Sequence, residues 1–132
     1  MSWSISHPCR LVLVLAKGEF QSADLIRLLT AIDAAKASSY RKLIDISQLT
    51  DSMSPMVLRE FARIVRHRER ERTVGPIALV AGTAGAVRLA NRFAGSARGE
   101  RLIEIFADQS AARHWLSSFY AYEGDARLET RT

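Results

Sequence analysis

Apolar residues along this chain switch repeatedly between two periods, and the switches predict strands alternating with helices. Trp3 to Ser6 alternate between apolar and polar, and a turn-like segment, 7–10, separates them from the apolar run Leu11 to Leu15. Strict alternation is typical of a half-buried strand, whereas a continuous apolar run indicates a strand covered on both faces. The chain is therefore predicted to open with a β-hairpin whose second strand lies inside a sheet.

Three more strands and four helices are predicted after the hairpin. The short apolar stretches 41–46, 77–81 and 102–106 have strand character, and apolar residues at helical spacing fill the segments between and after them. Ser22, Ser54 and Asp108 are suited to capping the first, second and fourth helical segments, and Gly82-Thr83 opens the third. Pro55 fits the first helical position, and Gly95 is predicted to end the third helix.

This order predicts a single-domain α/β sandwich over residues 1–120, followed by a polar C-terminal tail, 121–132. The order of elements is β-β-α-β-α-β-α-β-α, with four helices on a mixed sheet of about five strands. The opening hairpin is antiparallel, and the remaining strands pair in parallel through right-handed crossovers. The loops that follow the strands then meet at the carboxyl edge of the sheet, where such folds place their sites.

Composition and charge narrow the class of protein. The chain has 132 residues, 48% apolar and 25% charged, which suffices for one core without a disulfide or a metal. The net charge is +5, and the densest basic stretch, 63–72, contains Glu69 and Glu71 between its arginines. That interleaving favours a solvated helix end over a phosphate-binding patch, so nucleic acid is not an expected partner.

The candidate chemistry for catalysis is sparse. His7, His67 and His114 fall in different elements, and Cys9 is the only cysteine. The stretch Gly82-Thr-Ala-Gly85 follows a strand, yet it lacks the spacing of a dinucleotide or P-loop motif and is more simply a tight turn. We therefore expect no enzyme, no metal and no cofactor. With no segment long enough to span a membrane, we also expect a cytoplasmic protein that does not bind membranes.

Polar residues do gather at the predicted carboxyl edge. We call this group the rim: Asp45, Ser47, Asp51, Ser52, Ser54, Gly82, Thr83 and Asp108. A pair of carboxylates could perform acid-base chemistry, but no histidine or lysine is placed with them. The aspartates are more simply interpreted as acceptors that fix loops.

The element order and several segments resemble the STAS domains, in the SpoIIAA-like branch of the anti-sigma factor antagonists. The resemblance covers about residues 2–118 and is carried by the opening hairpin, by Tyr40-Arg-Lys-Leu-Ile-Asp-Ile-Ser47, and by Arg101-Leu-Ile-Glu-Ile-Phe106. It implies a non-enzymatic protein-interaction module whose partner is a regulatory protein or a kinase-like anti-sigma factor. The serine that a partner kinase phosphorylates in the antagonists corresponds to Ser54, although Met53 stands where they have Asp.

Three hypotheses follow from the sequence. The first is a regulatory interaction module that acts through the rim around Ser54, with phosphorylation as an optional switch and homo-oligomers left open. The second is a domain that binds a small anionic or apolar ligand at the rim or beneath it. The third, an enzyme, lacks a nucleophile-base pair. A flat, exposed rim would favour the first hypothesis, and an apolar cavity the second.

Overall fold

The strands and helices form in the predicted order in a computed structural model, which describes residues 1–49, 54–71, 74–97 and 102–119. The strands are β1 (Ser2–Ser6), β2 (Leu11–Gly18), β3 (Arg41–Leu49), β4 (Ile77–Val80) and β5 (Ile103–Phe106). The helices are α1 (Ser22–Ala34), α2 (Pro55–Glu71), α3 (Ala84–Ala97) and α4 (109–119). The predicted tail, 121–132, lies outside the described residues.

The predicted mixed sheet is confirmed. Its five strands lie in sequence order, β1 runs antiparallel to β2, and the other pairs are parallel. Successive parallel strands are neighbours in the sheet. Right-handed crossovers between such strands place the connecting helices on the same face. Helices α1, α2 and α3 therefore cover one face of the sheet, and α4 packs on the other.

Alternating side chains along each parallel strand divide between these two faces, as the period of a strand requires. On the first face, Ile46 and Leu79 pack against residues of α2 and α3, and Val12 and Val14 pack against α1. On the opposite face, the buried cluster joins three strand residues to two residues of α4: Leu43, Ala78, Val80, Ala112 and Leu116. The sheet is thus covered on both sides, which explains its near-continuous apolar strands.

Two helix boundaries differ from prediction. Helix α1 already includes Ser22, so its cap position is Gln21, whose backbone N–H donates to Asp24 Oδ2 over 3.2 Å. Helix α3 continues through Gly95 to Ala97. Burial of Ala94 and Ala97 at the interface with the sheet holds this last turn in place and overrides the weak stop signal of a glycine.

Strand β3 is longer than its apolar pattern predicts. The run of apolar residues stops at Ile46, yet the strand continues to Leu49. After a register shift in β2, Lys17 pairs with Gln48 and Gly18 with Leu49. Backbone pairing with β2 therefore extends β3 past the last buried side chain.

Candidate functional site

Asp45 connects three elements at the rim. Its Oδ1 accepts a hydrogen bond from the backbone N–H of Ser47 over 2.9 Å, and its Oδ2 accepts one from Gln109 Nε2 over 3.0 Å. Ser47 follows Asp45 within β3, whereas Gln109 is the first residue of α4. The carboxylate therefore fixes the local backbone and holds the start of α4 against the carboxyl edge of the sheet.

These hydrogen bonds also set the charge of Asp45. Partial burial opposes ionisation, but the bonds donated by Gln109 and Ser47 outweigh it and lower the pKa of Asp45 below its ordinary value. The group is consequently an ionised acceptor at neutral pH. A general acid would need a raised pKa, so Asp45 is suited to holding structure rather than to donating a proton.

Ser47 links the ends of two neighbouring strands. Its Oγ accepts from the backbone N–H of Gly82 over 2.8 Å and lies 3.5 Å from the carbonyl oxygen of Val80. A Cβ at position 82 would lie 3.2 Å from that Oγ, so the close approach favours glycine. Ser47 and Gly82, which are far apart in sequence, are thus in direct contact at the rim.

The remaining described rim residues cap helices, as predicted for Ser54 and Asp108. The side-chain oxygen of each accepts a hydrogen bond from a backbone N–H in the following turn, which satisfies one of the exposed donors there. The distances are 3.2 Å from Val57 to Ser54, 3.1 Å from Ala86 to Thr83 and 2.8 Å from Ala111 to Asp108. The other two rim residues, Asp51 and Ser52, lie outside the described residues.

The side chains of His7 and Cys9 lie away from the rim. His7 is in the turn between β1 and β2, where its Nδ1 lies 2.6 Å from the hydroxyl of Tyr40, at the opposite end of the parallel strands. Cys9 is exposed in the same turn. Among the described residues, no three side chains of His, Cys, Asp or Glu converge as metal ligands would.

An apolar cavity of about 100 Å³ lies between the sheet and helices α1, α2 and α3. All but three of the described residues that line it are apolar, among them Val14, Leu28, Phe61, Val65 and Ala90. Phe20 and Leu58, near the rim, line it as well, so the cavity lies beneath the site that the sequence indicated. A domain that binds a ligand beneath the rim was one of the alternatives left open by the sequence. The pattern of apolar and polar residues could not show which side chains line such a cavity.

The polar residues of the cavity lining are Ser38, Lys42 and Arg68. Lys42 is only 6% exposed, and its Nζ donates to the carbonyl oxygens of Ser38 and Tyr40 over 2.7 and 2.8 Å. Arg68 forms a two-pronged ion pair with Asp33, at 2.9 and 2.5 Å, which joins the last turns of α1 and α2. Sequence reasoning missed both contacts.

Lys42 occupies a position whose burial could have been predicted from the sequence. It shares the period of Ile44 and Ile46 along β3, so it had to face the same side of the sheet as those residues. Its strand neighbours there, Val12 and Ile77, are almost completely buried. A lysine in that position needs nearby acceptors for its ammonium group, and the carbonyls of the 38–40 turn supply them.

No helix within the described ranges combines the length and the apolar character needed to cross a bilayer. Comparison with known proteins identified no relative, since no family model, curated protein or solved structure matches the chain.

Proposed function

We propose that this chain is a non-enzymatic binding domain whose ligand is a small apolar molecule held in the cavity beneath the rim. The observation that carries the proposal is the cavity itself, about 100 Å³ of space lined almost entirely by apolar side chains. Protein interiors normally pack as densely as organic crystals. We therefore expect a ligand to fill a void of this size inside a small domain.

The energetic cost of an empty cavity supports this interpretation. At roughly 24 cal/mol per Å³, leaving this space empty lowers the free energy of unfolding by about 2 kcal/mol relative to a filled core. Apolar cavities not much larger than this stay dry and take up molecules the size of benzene. A ligand with a similar apolar volume would recover much of that free energy by restoring contacts with the lining.

The hydrogen bonds made by the rim residues favour a binding role over a catalytic one. Asp45 and Ser47 are engaged in hydrogen bonds between elements, and Ser54, Thr83 and Asp108 cap helices. A nucleophile would instead be paired with a base that activates it. The described polar groups are used to hold the carboxyl edge of the sheet together.

Methyl NMR with benzene as the probe tests the proposal. We expect benzene to shift the methyl resonances of Leu28 and Val65 in the cavity and to leave those of Leu116, across the sheet, unchanged. Ala90→Leu, which places extra carbons into the cavity, should abolish the shifts. The matched control Ala23→Leu makes the same change at an exposed position of α1 and should leave them intact. Equal shifts on both faces of the sheet, or none at all in the wild-type protein, would refute the proposal.

A second candidate function is a regulatory protein interaction through the rim, in the cytoplasm. Met56 and Val57 favour it, because these apolar residues are 73% and 37% exposed in the turn that Ser54 caps. The resemblance to anti-sigma factor antagonists suggests a regulatory protein or a kinase-like anti-sigma factor as the partner, and Ser54 as the phosphoacceptor. Both remain predictions.

Affinity capture from the native host, with mass spectrometry of the captured proteins and of Ser54, tests this second function. The wild-type chain should retain a specific partner that Met56→Ser loses. The control Ile26→Ser removes another exposed apolar side chain, 56% exposed, from α1 and should retain the partner. A partner held equally by both variants, or no partner and no phosphate on Ser54, would count against the rim as an interaction surface.

A further inference from the structure

The outer side of the α2–α3 pair forms an open groove in which basic side chains converge. Its volume is about 550 Å³, and the residues that line it are Arg59, Arg63, Arg66, His67, Ala62, Gly95 and Ser96. The first five belong to α2 and the last two to the final turns of α3. This surface is separate from the apolar cavity, which uses the inner faces of the same two helices through Leu58, Phe61 and Leu89.

The three arginines occupy one stripe of α2. They are spaced by four and then three residues, which places successive Cβ atoms about 5–6 Å apart on the same helix face. All three are exposed. Their guanidinium groups can therefore reach a single bound group from neighbouring turns of the helix.

The local charge balance is positive. Among the described residues at the groove, the Glu60 carboxylate pairs with Arg63 through two hydrogen bonds, at 3.2 and 2.5 Å. Three guanidinium groups and one carboxylate leave a charge of +2, with His67 counted as neutral. A dianion would neutralise this charge.

The floor of the groove leaves space for such a group. A Cβ built at Gly95 meets nothing within 4 Å, and Ala62 is the only other small apolar residue in the described part of the lining. Ser96 adds a hydroxyl that can donate a hydrogen bond. The described lining contains no Phe, Tyr or Trp, the large aromatic side chains on which successive bases of a single-stranded nucleic acid stack.

We propose that the α2–α3 groove binds the phosphoryl group of a small phosphorylated molecule. Guanidinium forks match phosphate oxygens in paired hydrogen bonds, and a phosphate ester carries close to two negative charges at neutral pH. The sequence did not favour this site, because the glutamates that follow in α2 suggested cancellation. Folding places the arginines of α2 beside the small residues of α3, which lie about thirty positions later in the chain.

Titration with inorganic phosphate and pyrophosphate, followed by the amide resonances of Gly95 and Ser96 and the Nε–H resonances of the arginines, tests the proposal. Sulfate at matched ionic strength serves as the comparison ion. The triple variant Arg59→Gln, Arg63→Gln, Arg66→Gln should weaken pyrophosphate binding by at least about tenfold, because hydrogen bonds to charged groups are each worth about that much. The control triple Lys17→Gln, Lys36→Gln, Arg113→Gln removes the same charge from exposed positions outside the groove and should bind like the wild type.

Any of three results would overturn the proposal. Equal weakening in both triples would show that net charge, rather than the groove, attracts the anion, and shifts that never saturate would show the absence of a site. A third arm uses a 12-nucleotide single-stranded DNA. If this DNA binds more tightly than pyrophosphate and displaces it, the ligand is a nucleic acid and the small-molecule assignment fails.

Discussion

Gln109 Nε2 lies 3.0 Å from Asp45 Oδ2, so the first side chain of α4 holds the carboxylate that projects from the α4-facing side of β3. The same carboxylate accepts from Ser47, whose hydroxyl accepts in turn from Gly82. A chain of three hydrogen bonds therefore runs from α4 through β3 to the end of β4. It explains how the rim keeps its geometry although its residues come from segments remote in sequence.

The first prediction concerns the pH dependence of stability. The pKa of Asp45 is lower in the folded state than in the unfolded state. The contribution of Asp45 to the free energy of unfolding is therefore fully present above the pKa of the unfolded state, near 3.8. It is lost as the pH falls through the pKa of the folded state. Urea denaturation of the wild type and of Asp45→Asn, measured from neutral pH to about pH 2.5, should show a steeper acid loss in the wild type. Gln109→Ala should give an intermediate slope. Parallel curves for all three proteins would contradict the assignment.

Ser54 is expected to act first as a cap. Ser54→Ala removes the oxygen that accepts from the Val57 N–H and should lower the free energy of unfolding by about 1 kcal/mol. Ser54→Asp supplies an acceptor and a charge that suits a helix start, so thermal or urea denaturation should find it close to the wild type. The contrary outcome is that Ser54→Asp also leaves partner capture unchanged while Ser54 carries no phosphate in cells. That outcome would show that Ser54 acts as a cap, and the hypothesis of a switch by phosphorylation would be wrong.

Two glycines should respond to alanine in opposite directions. A Cβ at Gly75 would lie 2.2 Å from the backbone oxygen of Tyr40 and 2.6 Å from that of Ser39, so the backbone must move. Gly75→Ala should therefore lower the free energy of unfolding by at least about 2 kcal/mol, as overpacking does. Gly95→Ala adds its methyl to open space inside α3 and should raise stability by about 0.5–1 kcal/mol. Chemical denaturation of both variants measures these changes, and equal effects would argue against the close approach at Gly75.

The core beneath α4 should be sensitive to truncation. Leu116 is 1% exposed and packs in the cluster with Leu43 and Val80. Leu116→Ala should cost about 2–5 kcal/mol by combining lost burial with a new void. Leu102→Ala makes the same chemical change where the side chain is 53% exposed and should cost far less. A loss at Leu102 as large as at Leu116, in the same denaturation assay, would mean that α4 does not stabilise the sheet as described.

The fold class and most helix starts could be predicted from the sequence because they depend on short-range chemistry. Strand and helix periods are properties of neighbouring residues, and Ser54, Thr83 and Asp108 act within a single turn. Parallel pairing after the hairpin could be predicted because a helix lies between each pair of successive strands. Boundaries failed where tertiary contacts outweighed local preference, at Gly95 in α3 and beyond Ile46 in β3.

The binding surfaces were decided by the tertiary structure. The apolar cavity is the space that side chains of several elements leave unfilled when they pack together. Its size depends on residues that are remote in sequence, so no local pattern specifies it. Lys42 carries a charge that would usually be solvated, yet its strand position buries it, and acceptors from the neighbouring turn make that tolerable. The arginine groove likewise arises because folding brings α2 against α3. Sequence determined which residues each element presents, and packing determined which of them meet, since contacts between remote segments depend on the geometry of the whole sheet.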